Sequence, residues 1–177
     1  MISQYKTKKI LDYVHSNVWG PTRELSLGGS QYFVTFIDDF FRIVWVYYLK
    51  QKSMVFTKFK QWKVKVENQI RRKIKYLRSN NRKEYTDSWF QKFYEEHGIQ
   101  RHISVRKTPQ QNSVVERMNR SIIESARCFG LNAGLSKSFW VEAVSMACYL
   151  INRSPRHHWV ERLYKKYGQV NQLILII

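Results

Sequence analysis

Acidic residues are the scarce class in this 177-residue chain: 13 Asp and Glu stand against 31 Lys and Arg, a formal charge of +18. So few carboxylates leave little from which to build a hard-cation site or an acid–base pair, and each one can be weighed singly. Cysteine is almost missing. Cys128 and Cys148 form no CxxC, have no paired His, and fall in helical patterns, which predicts buried free thiols rather than a disulfide or a zinc site. The five histidines are scattered, His157–His158 being an adjacent pair, and none has metal-ligand spacing. No apolar run approaches the roughly 20 residues of a membrane span and no signal peptide heads the chain, so the expectation is a soluble intracellular protein with no membrane partner.

What is present is a core and a strong positive field. The hydrophobic fraction is 44% and aromatics make up 15%, which argues for a folded globule rather than a basic tail, and the length suits one domain. A pI near 10.1 describes a surface that concentrates polyanions, of which nucleic acid is the commonest. The competing reading is a solvated basic surface with no evolved ligand.

DYVHSNVW (12–19) alternates loosely and stops at Gly20–Pro21, as a strand does at a turn. QYFVTFIDDF (31–40) and RIVWVYYLK (42–50) are aromatic, β-branched runs separated by almost nothing, the pattern of an antiparallel hairpin. Both are apolar on two faces, which places them inside a sheet covered by helices. Ser53 is expected to cap a helix with the stripe Val55, Phe59, Trp62, Val66 and Ile70. A short strand at 72–78, a helix at 88–97 stopped by Gly98, and a strand at 99–105 follow. Thr108–Pro109–Gln110–Gln111 has the form of a helix start. The stripe after it is Val115, Met118, Ile122, Ala126 and Phe129, and a last helix from about Ser136 to Asn152 turns Trp140, Val144, Ala147 and Ile151 inward. The order β-β-β-α-β-α-β-α-α predicts an α/β domain: a mixed sheet, antiparallel first strands then crossover helices, with helices on both faces. Three segments are expected: an N-terminal basic segment 1–9, a core domain 10–155, and a divergent tail 156–177.

Asp38 and Asp39 sit where a hairpin turns, and turn chemistry accounts for them. Glu84 has basic neighbours to pair with. Glu116 lies in the first turns of a helix, one position off the apolar stripe and beside Arg117 and Arg120; alone it reads as a solvated glutamate. Between Lys58 and Lys83 there are eleven Lys or Arg and a single acid, Glu67. Lys58, Lys65 and Arg72 recur every seven residues, either a phosphate track or a solvated face.

The words HSNVWGP (15–21), YFVTFIDDF (32–40), IKYLRSNNRKEY (74–85), TPQQNSVVERMNR (108–120) and SFWVEAVSMACYLINRSP (138–155) resemble, in order and spacing, the integrase catalytic core of copia-type LTR retrotransposons. The resemblance implies a ribonuclease H-like fold and an Asp-Asp-Glu triad. In that family the triad holds two Mg2+ or Mn2+ ions for polynucleotidyl transfer. The third acid falls on Glu116 and the second on Asn80, thirty-five residues intervening. The first, in the family's word before Gly-Pro, falls on Asn17. Two of the three acids are therefore amides, which keep a carbonyl oxygen and lose the charge. At about 4 Å and an effective dielectric of about 20, each unit pair is worth on the order of 4 kcal/mol gross, and twice that for a dication. Arg82 and Lys83 replace the family's Gly-Gly pair, and Ser113 replaces a glycine before Glu116. The metal site is expected to be crippled.

The resemblance also implies DNA as partner, contacted by Arg78, Arg82, Lys83, Lys107, Arg117 and Arg120 without sequence preference and with steep salt dependence. It implies self-association as a homodimer, and a nuclear location if the protein acts on DNA. Family integrases carry an N-terminal His-His-Cys-Cys zinc module for which these residues supply no counterpart. Three readings stand: an integrase core without activity, a plain nucleic-acid-binding module, and a remnant with no molecular role.

Overall fold

The computed structural model describes residues 7–80, 85, 88–104 and 109–154, with the backbone alone at 80, 103–104 and 109–114. Within these limits the chain runs β1 (Tyr13–Trp19), β2 (Tyr32–Asp38), β3 (Val44–Leu49), α1 (Val55–Ile70), β4 (Tyr76–Asn80), α2 (Ser88–His97), β5 (Gln100–Ser104), α3 (Pro109–Asn132) and α4 (Trp140–Arg153). The element order read from the sequence holds.

The sheet order is β3-β2-β1-β4-β5. β1, β2 and β3 pair antiparallel, whereas β4 runs parallel to both β1 and β5. β3 is thus an edge strand. Its apolarity on both faces reflects helices above and below rather than a place inside the sheet: Trp45 and Leu49 pack on the α1 side, Val44 with α3 and α4.

One core lies between the sheet and α1–α2, where Val14, Val18 and Leu77 meet Val55, Phe59, Trp62 and Val66. Of the predicted α1 stripe, Val55, Phe59, Trp62 and Val66 are buried, each contributing about 1.5–3 kcal/mol, and Ile70 is half-buried. Phe36 and Trp62 stack with ring centroids 4.3 Å apart. The second core joins Phe33, Ile37 and Val44 to Met118, Ile122 and Ala126 of α3 and Ala143, Val144, Ala147 and Cys148 of α4.

Several local expectations are corrected. Ser53 does not cap α1: a 3-10 turn, Lys52–Met54, leads into the helix, Met54 is the N-cap, and the Ser53 hydroxyl faces Gln51 at 3.4 Å. The strand expected at 72–78 begins at Tyr76, because Arg71 turns left-handed (φ 56°) and the next residues are held by tertiary bonds. Glu67 accepts the Ile74 amide at 2.9 Å, and Arg72 reaches back to the Ile10 carbonyl and Asp12. Arg72 therefore lies beyond the helix, and the seven-residue basic series does not share one helical face. Of the two thiols, Cys148 is buried and Cys128 exposed. Gly20 has φ +119°, and a Cβ there would stand 2.6 Å from the Gln31 carbonyl oxygen, so this turn needs glycine.

Asp38 and Asp39 do shape the β2–β3 turn. Asp38 is fully buried and accepts the amides of Leu11 (2.8 Å) and Phe41 (2.6 Å). Burial raises its pKa to about 7 against the pull of those amides.

Candidate metal and nucleic-acid site

The two central parallel strands set the site. β1 and β4 pair through His15↔Arg78 and Ser16↔Ser79, and one further step in that register brings residue 80 beside residue 17. Asn17 is half-buried on β1, and its other neighbour across the sheet is Thr35 of β2. Thr35 is wholly buried, and its hydroxyl donates to Oδ1 of Asn119 at 3.0 Å. Its 3.5 Å approach to the Asn17 carbonyl oxygen is secondary, since a hydroxyl has one proton to give. Asn119 is one helical turn after Glu116 on α3. This buried contact, with Met118 and Ile122 in the same core, seats α3 against β2, the strand beside the one that bears Asn17.

Tyr85, five positions past the end of β4, is held to β1. The Ser16 hydroxyl and the Tyr85 hydroxyl meet at 2.6 Å, and Tyr85 is completely buried against Phe90. Beneath Asn17 on its own face of β1, His15 Nε2 bonds Asp39 Oδ1 at 2.9 Å. Arg42 Nη1 and the Thr7 hydroxyl complete the cluster, each at 2.9 Å from an Asp39 oxygen. Burial lowers the His15 pKa, and the bond to Asp39 resists that shift. Burial also works to raise Asp39, but His15, Arg42 and Thr7 outweigh it and hold its carboxyl below the usual range.

Of the residues singled out from sequence, Asn17 and Asn80 are neighbours by backbone register, and Glu116 is exposed on the helix tied beside them. Arg78 is half-buried on β4 opposite His15, and Arg117 and Arg120 are exposed on α3. Arg82, Lys83 and Lys107 lie outside the described residues, as do the tail 156–177 and residues 1–6 of the N-terminal segment. Thr35, Asn119, Ser16 and Tyr85 were missed. Thr35 was visible as the polar residue inside an apolar strand, and Asn119 as the residue one turn beyond Glu116; the Ser16–Tyr85 contact had no local signal.

Two neutral amides and one exposed carboxylate do not match the donor set of a site for two divalent cations, which takes charged oxygen ligands. Among the described residues no three His, Cys, Asp or Glu side chains cluster closely enough to hold a metal ion. No helix among them is long and apolar enough to cross a membrane.

No protein-family profile matches the chain. It is 51% identical over 153 residues, 86% of its length, to the retrovirus-related Pol polyprotein from transposon TNT 1-94 of Nicotiana tabacum. The corresponding polyproteins from transposons RE2 and RE1 of Arabidopsis thaliana are 37% and 35% identical over the same extent. The chain spans 10–12% of the length of these relatives. Among solved structures, the HTLV-2 integrase catalytic core in complex with magnesium, in its trimeric form, superposes with a TM-score of 0.59 at 16% identity. The match covers 81% of this chain and 86% of that one. The simian T-cell lymphotropic virus intasome with PP2A regulatory subunit B56 gamma gives 0.62 at 17% identity, covering 82% and 50%. Sequence and fold agree: the chain is similar to the Pol polyproteins of copia-type plant retrotransposons, and its fold is the ribonuclease H-like fold of retroviral integrase catalytic cores.

Proposed function

We propose that this chain is an integrase core by ancestry that no longer catalyses strand transfer and still binds nucleic acid. The observation that carries the reading is the pair of amides at neighbouring positions of β1 and β4, Asn17 and Asn80, where the family resemblance calls for two aspartates. With Glu116 as the remaining acid, the site holds one negative charge of three. Two dications 3.5–4 Å apart would repel each other with little to hold them.

The scaffold around the site is complete by comparison. Thr35–Asn119 seats α3, Ser16 bonds the buried Tyr85, and His15–Asp39 fills the space under Asn17. These contacts support a fold that outlasts its chemistry. Nucleic-acid binding rests on the +18 charge and on the exposed Arg117 and Arg120 beside Glu116, with Arg78, Arg82, Lys83 and Lys107 as further contacts. Self-association follows from the neighbours, whose HTLV-2 core is described in dimeric and trimeric forms.

The test is a nicking and strand-transfer assay of the purified chain with Mg2+ or Mn2+. No product is expected above background. Robust product that disappears in Glu116→Gln would overturn the reading. The second reading, a plain nucleic-acid-binding module with no chemistry, is favoured by the same basic surface.

A further inference from the structure

The end of the sheet away from Asn17 and Asn80 carries a second concentration of charge. Residues 7–12, which lead into β1, and residues 71–75, which lead into β4, are stitched together there. The amides of Lys75 and Tyr76 donate to the carbonyls of Leu11 and Asp12, Arg72 bonds the Ile10 carbonyl, and Arg72 and Lys75 both reach Asp12, at 3.2 and 2.9 Å. Asp12 stands five positions before Asn17, and Lys75 five before Asn80. At about 3.3 Å per residue the two ends stand about 16 Å apart.

The acids here lie inside and the cations outside. The Asp12 and Glu67 side chains are 14% and 6% exposed, whereas those of Lys73 and Lys75 are 82% and 57% exposed. Lys8, Lys9 and Arg71 are exposed too, and among the described residues no ion pair is seen for any of them. Glu67 already serves Lys63 (2.8 Å), Lys73 (3.4 Å) and the Ile74 amide. On one flank Asp39 is committed to His15, Arg42 and Thr7, and on α2 Glu95 and Glu96 face Gln91 and Lys92.

We propose that this end of the sheet is a second nucleic-acid surface, which takes the phosphate backbone of a duplex through Lys8, Lys9, Arg71, Lys73 and Lys75. The inference rests on the nucleic-acid-binding reading above and adds a location to it that is separate from the Asn17–Asn80 end. Duplex backbone is the partner the chemistry favours, because it asks only for exposed cations in a fixed array. A membrane surface would want apolar side chains to insert, and the exposed large apolar residues all lie outside segments 7–12 and 71–76. An acidic protein would want exposed aromatic or aliphatic side chains to bury as anchors, and these two segments present none. Bound here, a duplex is not presented to the old metal positions, so binding and any restored chemistry are separable.

The experiment titrates salt against anisotropy of a labelled 20-base-pair duplex with the full chain. It compares the parent with the triple variant Lys8→Gln, Lys9→Gln, Arg71→Gln and with the double variant Arg117→Gln, Arg120→Gln. The triple variant is expected to lower the slope of log K against log salt by about 2–3, at about 0.9 for each phosphate that is no longer neutralised. The same drop is expected when the α3 double variant is the background. An unchanged slope in a folded triple variant, with the parent binding and the double variant weakened, overturns this surface and leaves the nucleic-acid reading intact. A parent that fails to bind at low salt overturns both. If the triple variant melts early, Lys9→Gln alone should lower the slope by about one. Vesicles of phosphatidylserine and phosphatidylcholine form the last arm: loss of vesicle capture with duplex binding unaffected would assign the surface to lipid and overturn the proposal.

Discussion

Restoring two carboxylates is the sharpest perturbation available to this fold. In Asn17→Asp, Asn80→Asp the new acids would sit on neighbouring parallel strands about 4.8 Å apart. Without metal they repel by roughly 3 kcal/mol gross at an effective dielectric of about 20. The doubly restored protein should therefore melt below its parent in EDTA. A dication about 4 Å from each carboxylate gains on the order of 8 kcal/mol gross per acid at the same dielectric, which exceeds the repulsion before desolvation is counted. Mn2+ or Mg2+ should then raise the melting temperature of the restored protein and leave the parent unmoved, and titration calorimetry should show saturable heat in the restored protein alone. Adding Glu116→Gln should weaken that binding. A restored protein that is folded by circular dichroism, yet shows neither metal-dependent melting nor heat, would refute the placement of Asn17 and Asn80 at ligand positions.

Three further perturbations test the frame around the site. Glu67→Ala strands Lys63 in the interior and frees the Ile74 amide, and should cost about 3–5 kcal/mol in urea unfolding, with Glu67→Gln intermediate; a cost under 1 kcal/mol would show that Lys63 relaxes to solvent. Ser16→Ala and Tyr85→Phe should each cost about 1 kcal/mol, and the double variant hardly more than either, because both remove one bond. The pH profile carries two opposed contributions. His15 is neutral in the fold with its pKa lowered, so the unfolded chain takes up the extra proton and stability should fall as pH drops through about 6.5. Asp38, raised to about 7, keeps its proton in the fold, so its contribution is full below about pH 4 and fades as pH rises toward 7. His15→Gln should therefore leave a protein whose stability climbs more steeply on acidification from pH 7 to 5 than the parent's; an identical profile would show that His15 does not titrate between the folded and unfolded chains.

The parts of the fold that follow from a repeating pattern were legible. Val55, Phe59, Trp62 and Val66 announce a helix and its buried side together, and the gap of thirty-five residues from Asn80 to Glu116 is a matter of counting. What depends on one tertiary partner was not legible. Lys63 and Glu67 look like a solvated pair at helical spacing, yet both are buried, because the turn at Arg71 folds β4 back over that end of α1. Arg72 continued a seven-residue series until the left-handed turn at Arg71 took it off the helix. Ser53 had the chemistry of a cap, but the 3-10 turn moved the helix start to Val55. The Thr35–Asn119 contact needed two elements 84 positions apart to meet, and no window of sequence contains both.

Glu67 has a consequence well outside its own surroundings. By accepting the amide of Ile74, six residues before Asn80, it fixes where the chain stops turning and where β4 begins. A parallel strand counts outward from its first paired residue. Were that start displaced by one, residue 79 or 81 would stand beside Asn17, and every side chain of β4 would exchange faces. The address of Asn80 is thus written at the opposite end of its strand, by a carboxylate thirteen positions earlier in the chain.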